Sequence, residues 1–79
     1  MRVRLRFFAV LREEMGPRRE RTLPDGTSVG TLWRTLVAER PGLGAVQVRF
    51  AVNESYVEPS HRLTDGDEVA FFPPVSGGR

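Results

Sequence analysis

Residues 28–37, "SVGTLWRTLV", carry one continuous apolar stripe: Val29, Leu32, Trp33, Leu36 and Val37 fall at i, i+3, i+4, i+7 and i+8. Ser28, with Thr27 beside it, offers an N-cap, and Pro41-Gly42 stops the helix. Gly30 weakens the first turn slightly, because it has the most backbone freedom to lose. Trp33 lies on the stripe and is read as core. A chain of 79 residues buries one small core. A single helical stripe can cover one face of one sheet, so the rest of the chain has to supply that sheet.

The other segments alternate as strands do. "MRVRLRFFAVL" sends Val3, Leu5, Phe7 and Ala9 one way and Arg2, Arg4, Arg6 and Phe8 the other. "REEMGP" breaks this pattern at Gly16-Pro17, and "RRERTL" reads as a second, more polar strand joined to the first as a hairpin. In "AVQVRFAVN", Val46, Val48, Phe50 and Val52 share a face. Asn53-Glu54 turns the chain into "SYVEP", a short strand ended by Pro59. "SHRLTDGD" is a loop anchored by Leu63, and "EVAFF" is the last strand, with Val69 and Phe71 inward and Ala70 and Phe72 outward.

The order strand, strand, helix, strand, short strand, strand predicts an α+β fold. It fits a β-grasp (ubiquitin-like) mixed sheet with one main helix packed on one face. In that fold the first and last strands are parallel neighbours at the sheet centre. Phe8 and Phe72 then sit side by side on the uncovered face. The β-grasp domain is expected to span residues 1–72, with 73–79 an extended Gly-Gly tail of the same single domain.

Composition removes several function classes. There is no cysteine, hence no disulfide, thiolate metal site or cysteine nucleophile, and a reducing, cytoplasmic setting is expected. No apolar run is long enough for a signal peptide or a membrane span, so no membrane partner is expected. His61, the only histidine, stands in a polar loop beside Arg62 and reads as solvated. There is no HExxH, Ser–His–Asp set or P-loop, so no catalytic residue and no metal site is expected. "TDGDE" is too short for a calcium loop and reads as a turn at Asp65-Gly66-Asp67.

Formal net charge is +2, and all twelve basic residues are arginine, so no side-chain amine is available for acylation. The row Arg2, Arg4, Arg6 with Phe8 resembles a surface for single-stranded nucleic acid. The near-neutral charge balance and the lack of an RNP-like aromatic pair argue against nucleic acid as the partner. A protein-docking face suits clustered exposed aromatics better.

The last residues are the most specific signal. Pro73 and Pro74 keep the strand from continuing, Val75 and Ser76 follow, and Gly77-Gly78 lack the Cβ that would block a narrow tunnel. From Phe72 to Gly78 an extended chain reaches about 20 Å. The reactive group such a tail offers is a terminal carboxylate, a poor acyl donor until it is activated.

"LTDGDEVAFFPPVSGG", with "RFFAVLRE" near the start, resembles the MoaD/ThiS family of sulfur carriers, and within it MoaD, the small-subunit type of molybdopterin synthase. The resemblance covers essentially the whole chain. It implies that a ubiquitin-activating-like (MoeB-like, E1-like) enzyme adenylates the terminal glycine with ATP, and that sulfur delivery then makes a thiocarboxylate. It implies further that the tail inserts into a MoaE-like large subunit, whose residues convert cyclic pyranopterin monophosphate into the molybdopterin dithiolene. No cofactor is bound by the carrier itself; ATP belongs to the activating enzyme.

Residue by residue, Gly78 matches the sulfur-carrying terminus. Phe8, Tyr56 and Phe72 match an apolar docking patch, Tyr56 standing where another apolar residue is common, and Arg12 matches a basic residue beside it. Arg79 departs from the family ending, and trimming by a C-terminal processing protease is expected. Carriers for thiamine, tRNA thiolation or cysteine synthesis share the Gly-Gly ending, as do ubiquitin-like protein modifiers.

Overall fold

The computed structural model describes residues 1–73. Strand β1 (Arg2–Phe7) is followed by a short helix α1 (Val10–Met15), strand β2 (Arg18–Thr22) and the main helix α2 (Val29–Glu39). A 3₁₀ helix (Pro41–Ala45) leads into β3 (Arg49–Val52), β4 (Ser55–Val57) and β5 (Glu68–Phe72). The five strands form one sheet in the order β2-β1-β5-β3-β4. β1 and β5 pair in parallel at its centre and every other pairing is antiparallel. With α2 packed on one face, this is the β-grasp arrangement.

Alternation and stripe meet in a single core. Val3, Leu5 and Phe7 of β1 and Val69 and Phe71 of β5 are buried against Val29, Leu32 and Leu36 of α2. Trp33 is half-buried and joins this core, its ring 5.4 Å from that of Phe71. Leu63 is buried as the loop's anchor. Ser28 caps α2, its hydroxyl accepting from the Thr31 amide at 3.2 Å. Gly30 has a packing reason beyond propensity: a Cβ there would come within 3.0 Å of Pro59 Cβ, and the Gly30 amide donates to the Pro59 carbonyl at 2.8 Å. Arg21 of β2 makes a two-pronged ion pair with Glu39 of α2, both bonds 2.7 Å, tying the sheet edge to the helix end.

Three expectations change. The connection between β1 and β2 is a six-residue helix rather than a simple hairpin turn, with Leu11 and Met15 packing beneath it at i and i+4. Ala9 does not face inward. It is exposed at φ 55°, a left-handed backbone that turns the chain off the sheet into α1. The third strand is shorter than the Val46–Val52 alternation predicts, because Val46 and Val48 precede β3 while still packing against the core.

Asp67, which the sequence marks only as part of a turn, is buried. Its carboxylate accepts from the Thr64 amide (2.8 Å), Thr64 Oγ1 (3.1 Å) and Asn53 Nδ2 (3.0 Å), and the Glu68 amide donates to Asn53 Oδ1 (3.0 Å). This network joins the loop before β5 to the β3–β4 turn and sets where β5 begins. Burial pushes the Asp67 carboxyl up, but the hydrogen bonds from Thr64 and Asn53, helped by the charge of His61, outweigh it and hold the group below the usual aspartate range. A carboxyl depressed in the folded state stabilises the fold above its unfolded pKa, and the contribution is lost as pH falls through the folded value. Wild type is therefore expected to lose stability on acidification below the ordinary aspartate pKa of about 4. Asp67→Ala should remove that part of the pH dependence and cost about 1–3 kcal/mol near neutrality, because it strands the Thr64 amide. Urea melts across a pH series check both.

Candidate docking site on the open sheet face

The face of the sheet opposite α2 carries the aromatic cluster. Phe8 follows β1, and its amide donates to the Phe71 carbonyl at 3.2 Å, continuing the parallel ladder one residue beyond the strand. That bond sets Phe8 level with Phe72. Their rings lie edge to face with centroids 6.0 Å apart. Tyr56 reaches across from β4, its ring centroid 5.4 Å from that of Phe72. Arg6, two residues before Phe8 on the same face, holds its guanidinium 5.2 Å from the centre of the Phe8 ring.

Exposure separates these residues from ordinary core aromatics. Phe8 is 37% exposed and Tyr56 71%, whereas Phe71, one residue before Phe72, is fully buried. Aromatic rings gathered on a small domain's surface mark an interaction site. The patch sits where β5 ends at Phe72 and the chain goes on through Pro73.

The structure thus brings Phe8, Tyr56 and Phe72 together. Arg12 lies on α1 and is exposed, and Arg6 holds its guanidinium over the Phe8 ring. In the sequence Arg6 stands out only within the row Arg2, Arg4, Arg6 that shares a face with Phe8; its i, i+2 spacing from Phe8 is the signal that sets it beside the ring. His61 is exposed in its loop. Pro74, Val75, Ser76, Gly77, Gly78 and Arg79 lie outside the described residues. Among the described residues no cluster of three or more His, Cys, Asp or Glu could hold a metal ion, and no helix is long and apolar enough to cross a membrane. What this surface can do chemically is bind: it presents packed rings and cations around the point where the chain leaves the sheet.

Comparison with known proteins agrees with this architecture. The chain is 39% identical over 87 residues to the molybdopterin synthase sulfur carrier subunit of Escherichia coli, covering 96% of this chain and 99% of that one. Its fold superposes on a putative molybdopterin converting factor subunit 1 from Pyrococcus furiosus with a TM-score of 0.84 and 30% identity, covering 95% of this chain and 99% of that one. It also superposes on a chain of the complex of subunits 1 and 2 of molybdopterin-converting factor from Helicobacter pylori, with a TM-score of 0.69 and 27% identity, covering 99% and 100%. The ThiS family matches residues 5–78, from the middle of β1 through Gly78, and the chain belongs to that family.

Proposed function

We propose that this chain is the sulfur-carrier small subunit of molybdopterin synthase. The observation that carries the reading is the Phe8–Tyr56–Phe72 patch, set at the exit of β5 in a chain that runs on to Gly77-Gly78. The patch docks the carrier on the large subunit, and the tail spans the distance from that surface to the catalytic site. An E1-like enzyme forms a mixed anhydride between the Gly78 carboxylate and AMP, using ATP and releasing pyrophosphate. Sulfide-level sulfur displaces AMP from the acyl adenylate to leave a thiocarboxylate. In the large subunit that sulfur bonds to cyclic pyranopterin monophosphate, and water hydrolyses the resulting thioester, so that the sulfur stays on the substrate and the carrier returns to its carboxylate. Two such transfers supply both dithiolene sulfurs, in the biosynthesis of the molybdenum cofactor. Removal of Arg79 by a processing protease precedes activation.

The division of labour explains the chain's chemistry. The large subunit supplies the acids and bases, so the carrier needs none of its own. With no lysine, the activated terminus meets no side-chain amine on another copy of this chain.

Docking is tested by Phe72→Ala. The side chain faces the open surface rather than the core, so the melting temperature should stay close to wild type. A buried aromatic anchor at an interface is worth about 2 kcal/mol or more, which is roughly a thirtyfold rise in Kd for the large subunit. Calorimetric titration of the organism's own large subunit measures it. Wild-type protein that forms no complex with that subunit would overturn the reading.

A further inference from the structure

The open face changes character along its strands. Toward the start of β1 its charges balance: the pairing places Arg4 between Glu20 of β2 and Glu68 of β5, and Arg2 forms an ion pair with Glu20 at 2.6 Å. One rung nearer the end of β5 the paired residues include no carboxylate. That rung runs Arg18, Arg6, Ala70, Ala51, Tyr56 across all five strands. On the next, Phe72 stands opposite Arg49. Arg6 and Arg18 are direct cross-strand partners of like charge, an arrangement that disfavours the pairing. Among the described residues neither they nor Arg49 forms an ion pair. Ala70 and Ala51 leave a low floor between the arginines of β1 and β2 on one side and Tyr56 and Phe72 on the other.

We propose that the docking surface continues from the aromatic patch onto Arg6, Arg18 and Arg49, and that the partner protein meets it with carboxylates rimming its aromatic socket. The inference rests on the docking reading above. Two features identify the partner's chemistry. The unneutralised arginines adjoin the aromatic patch on the same face, so whatever covers the rings also covers the guanidiniums. Carboxylates brought there relieve the Arg6–Arg18 repulsion and gain two-pronged, charge-assisted hydrogen bonds. A nucleic-acid strand fits less well, because Glu20 and Glu68 on the adjoining rung interrupt any long cationic track.

Arg18→Glu separates binding from folding. It replaces a like-charge cross-strand pair by an opposite-charge one, so the melting temperature should hold or rise. Charges at an interface rim act mainly on the association rate and its salt dependence. Association of Arg18→Glu with the organism's molybdopterin synthase large subunit should therefore slow by on the order of tenfold at low ionic strength. The difference should close near 1 M salt, where the screening length is only about 3 Å. Arg49→Glu should behave likewise in binding, and Arg34→Glu, on the solvent-exposed side of α2, should match wild type. Wild-type association kinetics in Arg18→Glu and Arg49→Glu, with Phe72→Ala still impaired, overturn the extended surface and leave the docking reading standing. Full binding by Phe72→Ala as well removes both. Binding of a single-stranded oligonucleotide as tight as that of the large subunit, and lost in Arg18→Glu, also overturns the proposal.

Discussion

Protein ending at Gly78 is expected to become thiocarboxylated, and protein carrying Arg79 is expected not to. Activation needs a carboxylate at the end of a chain thin enough to enter the adenylating site. Gly77 and Gly78 are that thin, whereas Arg79 adds a long side chain with a permanent charge. Burying an unpaired guanidinium costs several kcal/mol. A penalty of that size on the route to the adenylate slows activation by about a hundredfold or more. The measurement is intact mass, after incubation with the E1-like enzyme, ATP and a sulfur source, and on protein isolated from cells making the cofactor. Exchange of one carboxyl oxygen for sulfur adds about 16 Da and creates a nucleophile suited to acyl-transfer-type chemistry. Efficient thiocarboxylation with Arg79 attached would sink the trimming step. A complete lack of sulfuration during active cofactor synthesis would sink the carrier assignment.

Phe71→Ala is expected to remove much of the fold's stability. The Phe71 ring is fully buried and central among aromatics, 5.2 Å from Phe7, 5.4 Å from Trp33 and 5.7 Å from Phe50. Truncation loses the transfer free energy of the ring and leaves a cavity that three rigid neighbours cannot close, at a cost of about 3–5 kcal/mol. In a domain of this size each kcal/mol shifts the melting temperature by about 4–8 °C, so a fall of tens of degrees should be seen. Phe72→Ala, one residue away, is the control that should fold normally. Reversed effects in the two variants would mean that the assignment of β5's faces is off by one residue, since a one-residue slip exchanges the two faces of a strand.

Phe71 and Phe72 also mark how far sequence alone reaches. Which of the two is inward follows from alternation, because a strand's side chains point to opposite faces in turn. The stripe of α2, its Ser28 cap and the anchor Leu63 are local signals of the same kind. They survive folding because burial on one face is written into short-range periodicity. The patch needed more. Phe8 and Phe72 become neighbours only through a parallel pairing of the first and last strands, inferred from the order of elements. Tyr56 joined them through resemblance to known carriers, since its own segment, "SYVEP", carries no mark of what it faces.

Other features arise only where distant segments meet. The six residues of α1 show little more than Leu11 and Met15 at i and i+4, too short a run to state a period, and the sheet below supplies the rest. Ala9 takes a backbone that glycine favours because β1 must end against β5 and α1 must start at once. Asp67 looks like any turn aspartate until Asn53, fourteen residues earlier, closes its hydrogen-bond network. Arg6 and Arg18 oppose each other only because the β1–β2 register places them so. Periodicity says which way a side chain points, and this sequence says it clearly for α2, β1 and β5. Which side chain it meets there depends on strand neighbours and register, chosen by the whole chain as it closes around one core.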